Sequence, residues 1–330
     1  MKTLTGQPDF FRTLFADGCS LLGFVGWGLV ACGGFALFQS ATGQLLPHDA
    51  RYLGMTADEL CALHQCRVLH FMFHDRVAFG GVLIALGTLY LWLTEFPMRG
   101  GEGWAWWAIG VSGTAGFASF LTFLGYGYLD LWHGVATMVL CVCFTAGLWR
   151  TRGMRAVASR VIVTPRYRGW TLLLVTGMGL VAAGLTITIV GATTVFVRQD
   201  IQFMGVTPAE LRAINPHLIP LIAHDRAGFG GALLSCGLAW TFCVLYGAPS
   251  RALWQALGTA GAIGFAAAIG VHLVVGYLNL VHLGPALLGA GVFAAGLWPA
   301  RQPMCRDRET NQALPPTWVS ECAPPRETNA

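Results

Sequence analysis

The sequence predicts an all-α integral membrane protein whose eight transmembrane helices form two parallel tandem four-helix repeats. Three observations carry this expectation: apolar blocks of membrane-crossing length, arginines concentrated on one side of them, and a match between the two halves of the chain. The 330 residues are 55% hydrophobic and only 11% charged, a composition outside the range of soluble domains.

The blocks, in order, are 21–39, 68–93, 104–124, 128–149, 170–197, 218–246, 253–275 and 280–298. At a rise of about 1.5 Å per residue, about 20 residues cross a hydrocarbon core of about 30 Å. A helix satisfies every backbone polar group internally, and the alternating pattern of a barrel strand is missing. The first block starts late and has a counterpart opening the second half, so it is expected to be a retained helix and not a cleaved signal. The expected units are 1–160 for the first four helices, 161–299 for the second four, and a disordered cytoplasmic tail, 300–330, rich in Pro, Arg, Glu and Thr.

Charge placement sets the orientation. Arg99, Arg150, Arg152, Arg155, Arg160, Arg166, Arg168, Arg251 and Arg301 fall on one side of an alternating topology, and only Arg51, Arg67, Arg198 and Arg212 fall opposite. By the positive-inside rule both termini and the central loop are cytoplasmic, in a plasma membrane of bacterial type. Trp92, Trp104, Trp106, Trp107, Trp149, Trp170, Trp254 and Trp298 mark the same interface. The net charge of +4 is therefore a topology signal: the expected partner is the lipid bilayer, and no nucleic acid is expected. Of ten cysteines, only Cys61 and Cys66 share an outer loop, as a disulfide or as two thiols.

Sliding the chain along itself by about 150 residues reveals the duplication. Asp49, Tyr52, Leu53, Gly54, Thr56, Glu59 and Leu60 meet Asp200, Phe203, Met204, Gly205, Thr207, Glu210 and Leu211. HDRVAFGG at 74–81 meets HDRAGFGG at 224–231, and GYLDLWHG from Gly127 meets GYLNLVHLG from Gly276. An even number of helices per copy gives both halves one orientation. The shared polar residues all fall toward the extracytoplasmic side. The shared glycines, Gly80, Gly81 and Gly87 with Gly230, Gly231 and Gly237, read first as close-packing positions and second as a flat wall for a planar ligand.

The candidate site is His74, Asp75, Arg76, Asp130 and His133, matched by His224, Asp225, Arg226, Asn279 and His282. Ionisable groups in a membrane are costly and are usually paired or functional. Asp75 and Arg76, like Asp225 and Arg226, are sequence neighbours on a helix and must find partners elsewhere. One reading makes this a clamp in which Arg76 bonds Asp130 or Asp49. The sharper reading takes His74 with His133, and His224 with His282, as axial pairs of two b-type haems. A transition metal held by His74, Asp130, His133, His224 and His282 is its variant. In both, Asp and Arg orient the ligands and balance charge, and the protein is a redox subunit with a membrane or extracytoplasmic electron partner. The competing class is a transporter of protons or of a small anionic solute. Phosphate loops, dinucleotide fingerprints, nucleophile elbows and zinc-type cysteine spacings are absent.

Overall fold

The computed structural model describes residues 18–128, 131–156 and 167–305; their regular elements are all helices, with no strand among them. In chain order the helices are α1 (Gly18–Ala41), α2 (Pro47–Leu53), α3 (Ala57–Cys61), α4 (Arg67–Leu93), α5 (Gly103–Ser119), α6 (Leu131–Arg150), α7 (Trp170–Ala192), α8 (Arg198–Met204), α9 (Pro208–Ile214), α10 (Leu218–Tyr246), α11 (Arg251–Val275) and α12 (Leu280–Cys305). Seven of them, α1, α4, α6, α7, α10, α11 and α12, are long and apolar enough to cross a membrane. The third expected span divides into α5, 17 residues long, and a 3₁₀ segment, Phe120–Gly125. The fifth expected span stops at Ala192, short of 197, and the last runs on to Cys305, so that residues 300–305 of the expected tail are helical. The remainder of that tail, 306–330, lies outside the described residues, as does Asp130.

α4 and α10 lie side by side at the centre. Each is packed along one flank by the long helix that comes before it in its own half, α1 on α4 and α7 on α10. Four of the shared glycines, Gly80, Gly87, Gly230 and Gly237, make these contacts possible: a Cβ on Gly87 would stand 2.6 Å from the Gly26 carbonyl oxygen, and one on Gly237 would stand 2.5 Å from the Val181 nitrogen. Here the glycines serve backbone approach, which drives helix association where the solvent is itself apolar. The other flanks are crossed. α11, from the second half, packs on α4, while α5, from the first, packs on α10. α12 then packs on α11 and α7, and α6 on α1 and α5. Large apolar side chains such as Trp27, Phe38, Met138 and Leu288 remain exposed around the outside, where lipid tails are expected to meet them.

Short helices cap one end. α2 and α8 stop at Gly54 and Gly205, whose φ angles of 63° and 70° suit a residue without a Cβ. α3 and α9 start with capping boxes, Thr56 with Glu59 and Thr207 with Glu210. Cys61 and Cys66 are joined by a disulfide. The cap has its own apolar core, including Leu60, Phe71, Met72, Met204, Leu211 and Leu221, distinct from the bundle core around Leu89, Ile109, Trp240 and Leu257. Along α4, Val68–Phe73 belongs to the cap core and Ala78 onward to the bundle core. The layer between is His74, Asp75 and Arg76.

Candidate functional site

The polar layer is built from two crossed sets of ion pairs. Arg76 on α4 binds Asp225 on α10 through Nε at 2.7 Å and Asp49 on α2 through Nη2 at 2.7 Å. Arg226 on α10 binds Asp75 on α4 through Nε at 3.1 Å, and Asp200 on α8 through Nη1. Sequence neighbours point in different directions around a helix, so each Asp-Arg dipeptide pairs across to the other helix. Arg226 also donates to the Val195 carbonyl at 2.9 Å and lies over the Phe71 ring. Tyr128 donates to Asp49, and Tyr277 donates to Asp200 at 3.0 Å. Burial, reinforced by the Asp200 carboxylate, pushes the Tyr277 phenol far up, which keeps it a donor. Counted as ionised, four carboxylates face two guanidiniums, and this excess of negative charge favours a cation nearby.

Each of these carboxylates in α4 and α10 also holds a histidine. His74 Nδ1 lies 3.0 Å from Asp75 Oδ1, and His224 Nδ1 lies 3.1 Å from Asp225 Oδ1. The remaining ring nitrogens turn toward two different neighbourhoods. Around His74 stand His272, with ring centroids 4.4 Å apart, and His282 at 5.5 Å. Around His224 stands His133, 5.5 Å away, and His48 lies 5.9 Å beyond His133. The expected pairs were His74 with His133 and His224 with His282. The structure exchanges the partners: α11 of the second half packs on α4 and α5 of the first half packs on α10, and the His282 ring comes to His74 while the His133 ring comes to His224. Asn279 is not part of either cluster: its side-chain oxygen accepts from the Val281 and His282 backbone N–H groups and so caps the start of α12. Two members escaped the sequence reading, His272 and His48.

The cluster at His74 is closed. One nitrogen from each of His74, His272 and His282 lies within 4.8 Å of the others. Tyr277 stacks on His282 at 4.6 Å, and Phe203 stacks on Tyr277 at 4.4 Å. Its hydrogen bonding fixes the tautomers. A carboxylate and a carbonyl only accept, so His74 Nδ1 donates to Asp75, and His272 Nδ1 donates to the Tyr277 carbonyl at 2.8 Å. With neutral rings, both Nε2 atoms then carry lone pairs, and they face each other at 3.1 Å. Two acceptors at that distance repel unless a cation or proton lies between them. The donor set is three imidazoles oriented by a carboxylate, a carbonyl and, at 3.8 Å from His282 Nδ1, Asp200. Such an outer shell is what metal-binding histidines require.

The cluster at His224 is open. It forms the polar end of a cavity of about 780 Å³ between α1, α4, α5, α6 and α10. His48, Arg51, Arg76, His133, His224 and Asp225 line that end, and Val25, Leu29, Leu83, Leu86, Phe117 and Leu140 line the shaft. The two halves differ here because α11 continues for 25 residues, with Val271 and His272 buried near its end, whereas α5 stops at Ser119. No known protein family matches this chain, and no curated protein or solved structure shows significant similarity to it.

Proposed function

We propose that the chain is a membrane-embedded metalloprotein in which His74, His272 and His282 hold one transition-metal ion as an electron-transfer centre. The observation that carries this reading is the 3.1 Å approach of two Nε2 lone pairs whose Nδ1 atoms are both committed as donors. Imidazole suits zinc, copper, iron and nickel, and copper or iron would let the centre pass electrons. A bare ion is favoured over haem b, because nitrogens at that separation leave no room for a macrocycle between them. The crossed ion pairs serve this centre by fixing α4 against α10, so the clamp and the ligand readings describe different residues of one layer.

The same proposal takes α5 with its 3₁₀ extension as an eighth crossing and the halves as parallel tandem repeats, a reading supported by the reciprocal Arg76–Asp225 and Arg226–Asp75 pairs. The arginine bias then puts the metal centre near the extracytoplasmic surface of the plasma membrane, within reach of a redox partner on that side. Elemental analysis of purified protein tests it: about one equivalent of copper or iron is expected, lost on His272→Ala with the fold retained. A second reading rests on the same contact, since a proton shared between His74 and His272 also relieves it, as in a proton pathway. Protein that stays metal-free after incubation with each ion would decide for the proton.

A further inference from the structure

We infer that the open cavity is a binding site for a lipid-soluble quinone, with its ring at the His133–His224 end and its tail along the apolar shaft. Four observations support this class of ligand. The first is shape: a cavity of about 780 Å³ runs from a cluster of polar side chains into a wall made almost wholly of apolar ones, which matches a polar head on a long hydrocarbon tail. The second is a waiting donor. Arg76 spends Nε and Nη2 on Asp225 and Asp49, but Nη1 is buried with no hydrogen-bond partner among the described residues, and the side chain lines the cavity. A ring carbonyl oxygen is the acceptor it lacks, and the imidazoles of His133 and His224 can donate to or accept from the ring oxygens.

The third observation is charge. Counted as ionised, the two guanidiniums at this end, Arg76 and Arg51, are matched by two carboxylates, Asp225 and Asp49, so the head region carries no surplus positive charge to attract a carboxylate or phosphate head. A neutral acceptor suits it better, and the phenylalanines Phe73, Phe79 and Phe120 offer flat faces to a planar ring. The fourth is access from the bilayer. α1 and α6 touch closely at one end, where a Cβ on Gly28 would meet Leu140 at 2.5 Å, but Gly34 and Gly134 have nothing within 4 Å. Phe35 and Trp132, which line the cavity there, are largely exposed. A tail can enter between the helices without crossing water.

The site does not depend on the metal centre, and the experiment separates the two. Protein in phosphatidylcholine nanodiscs is titrated with decylubiquinone, and binding is followed by calorimetry, with decanoate as competitor. Saturable binding at one quinone per chain is expected, unchanged in His272→Ala and weakened at least tenfold in Ala136→Trp, which fills the shaft from α6. If the tryptophan variant melts early, Thr137→Phe on the same wall replaces it. Absence of saturable binding, equal affinity in a well-folded filled variant, or displacement of the quinone by decanoate would each overturn the assignment, the last by giving the cavity to acyl chains.

Discussion

The His74 and His224 clusters start from the same materials and end as different sites. Both have a histidine held by its neighbouring aspartate, an arginine shared between two carboxylates, and a tyrosine on the outer carboxylate. At His74 a long α11 brings in His272 and closes the space with imidazole and aromatic rings. At His224 the shorter α5 leaves the space open, and a cavity takes its place. Matching side chains therefore end in different surroundings, and the length of one neighbouring helix decides whether rings close over them or they border a pocket.

The largest test of this contrast lies in the arginines. Arg226→Met strands Asp75 and Asp200 in the closed layer and is expected to cost about 3–5 kcal/mol, the range for breaking a buried pair. Arg76→Met should cost less, because its side chain is 12% exposed where that of Arg226 is 5% exposed, so the carboxylates left behind are the less deeply buried pair. Thermal melting of the two variants in one detergent gives the ranking. Equal losses would mean that the two frames are equally dry.

Much of this was legible in the sequence, and the reasons for the rest are specific. Hydropathy pointed to seven helices that are long and apolar enough to cross a membrane, because lipid imposes one backbone solution, and the match between the two halves of the sequence singled out His74, Asp75, Arg76 and their counterparts, which the structure brings into one layer. The same filter hid His272 and His48: Leu124 and Gln199 stand at the matching places, so neither histidine repeats. His272 still carried a signal of its own, as an ionisable residue inside an apolar span. The exchange of histidine partners was out of reach, since matched depth along a helix does not reveal which helix stands opposite.

Tyrosines give the next test. Tyr277→Phe keeps the stacking on His282 but removes the donor to Asp200, freeing that carboxylate to pull on the His282 ring. Metal affinity is expected to change by about 10–100-fold, the usual size of an outer-shell substitution. Tyr128→Phe, which frees Asp49 at the open cluster, should leave metal affinity unchanged. A comparable effect from both would place the ion between the clusters and not at His74.

Glycine positions probe closure directly. A Cβ on Gly81 would meet the Ala267 Cβ at 2.3 Å, whereas Gly134 has open space around it. Gly81→Ala forces α4 away from α11 and should cost about 1–3 kcal/mol, as overpacking does. Gly134→Ala is expected to stabilise α6 by about 0.5–1 kcal/mol through helix propensity alone. Chemical denaturation measures both, and a neutral Gly81→Ala would show that the closed side has slack.

The smallest effect concerns what the two regions share, and it calibrates the contrast. Glu59 and Glu210 accept hydrogen bonds from the backbone and hydroxyl of Thr56 and Thr207, which hold both carboxyls below the usual glutamate value of 4.5. A carboxylate with a lowered pKa in the folded state stabilises the fold above its unfolded pKa, and that contribution disappears as pH falls through the folded value. Melting of Glu59→Gln and Glu210→Gln should therefore trail the wild type slightly at neutral pH, and the gap should close for both on acidification below about pH 4. Matching curves for the two variants would show that the caps are equivalent, which leaves the α5 and α11 side as the source of the difference between the sites. A gap at only one of them would move part of that difference into the cap.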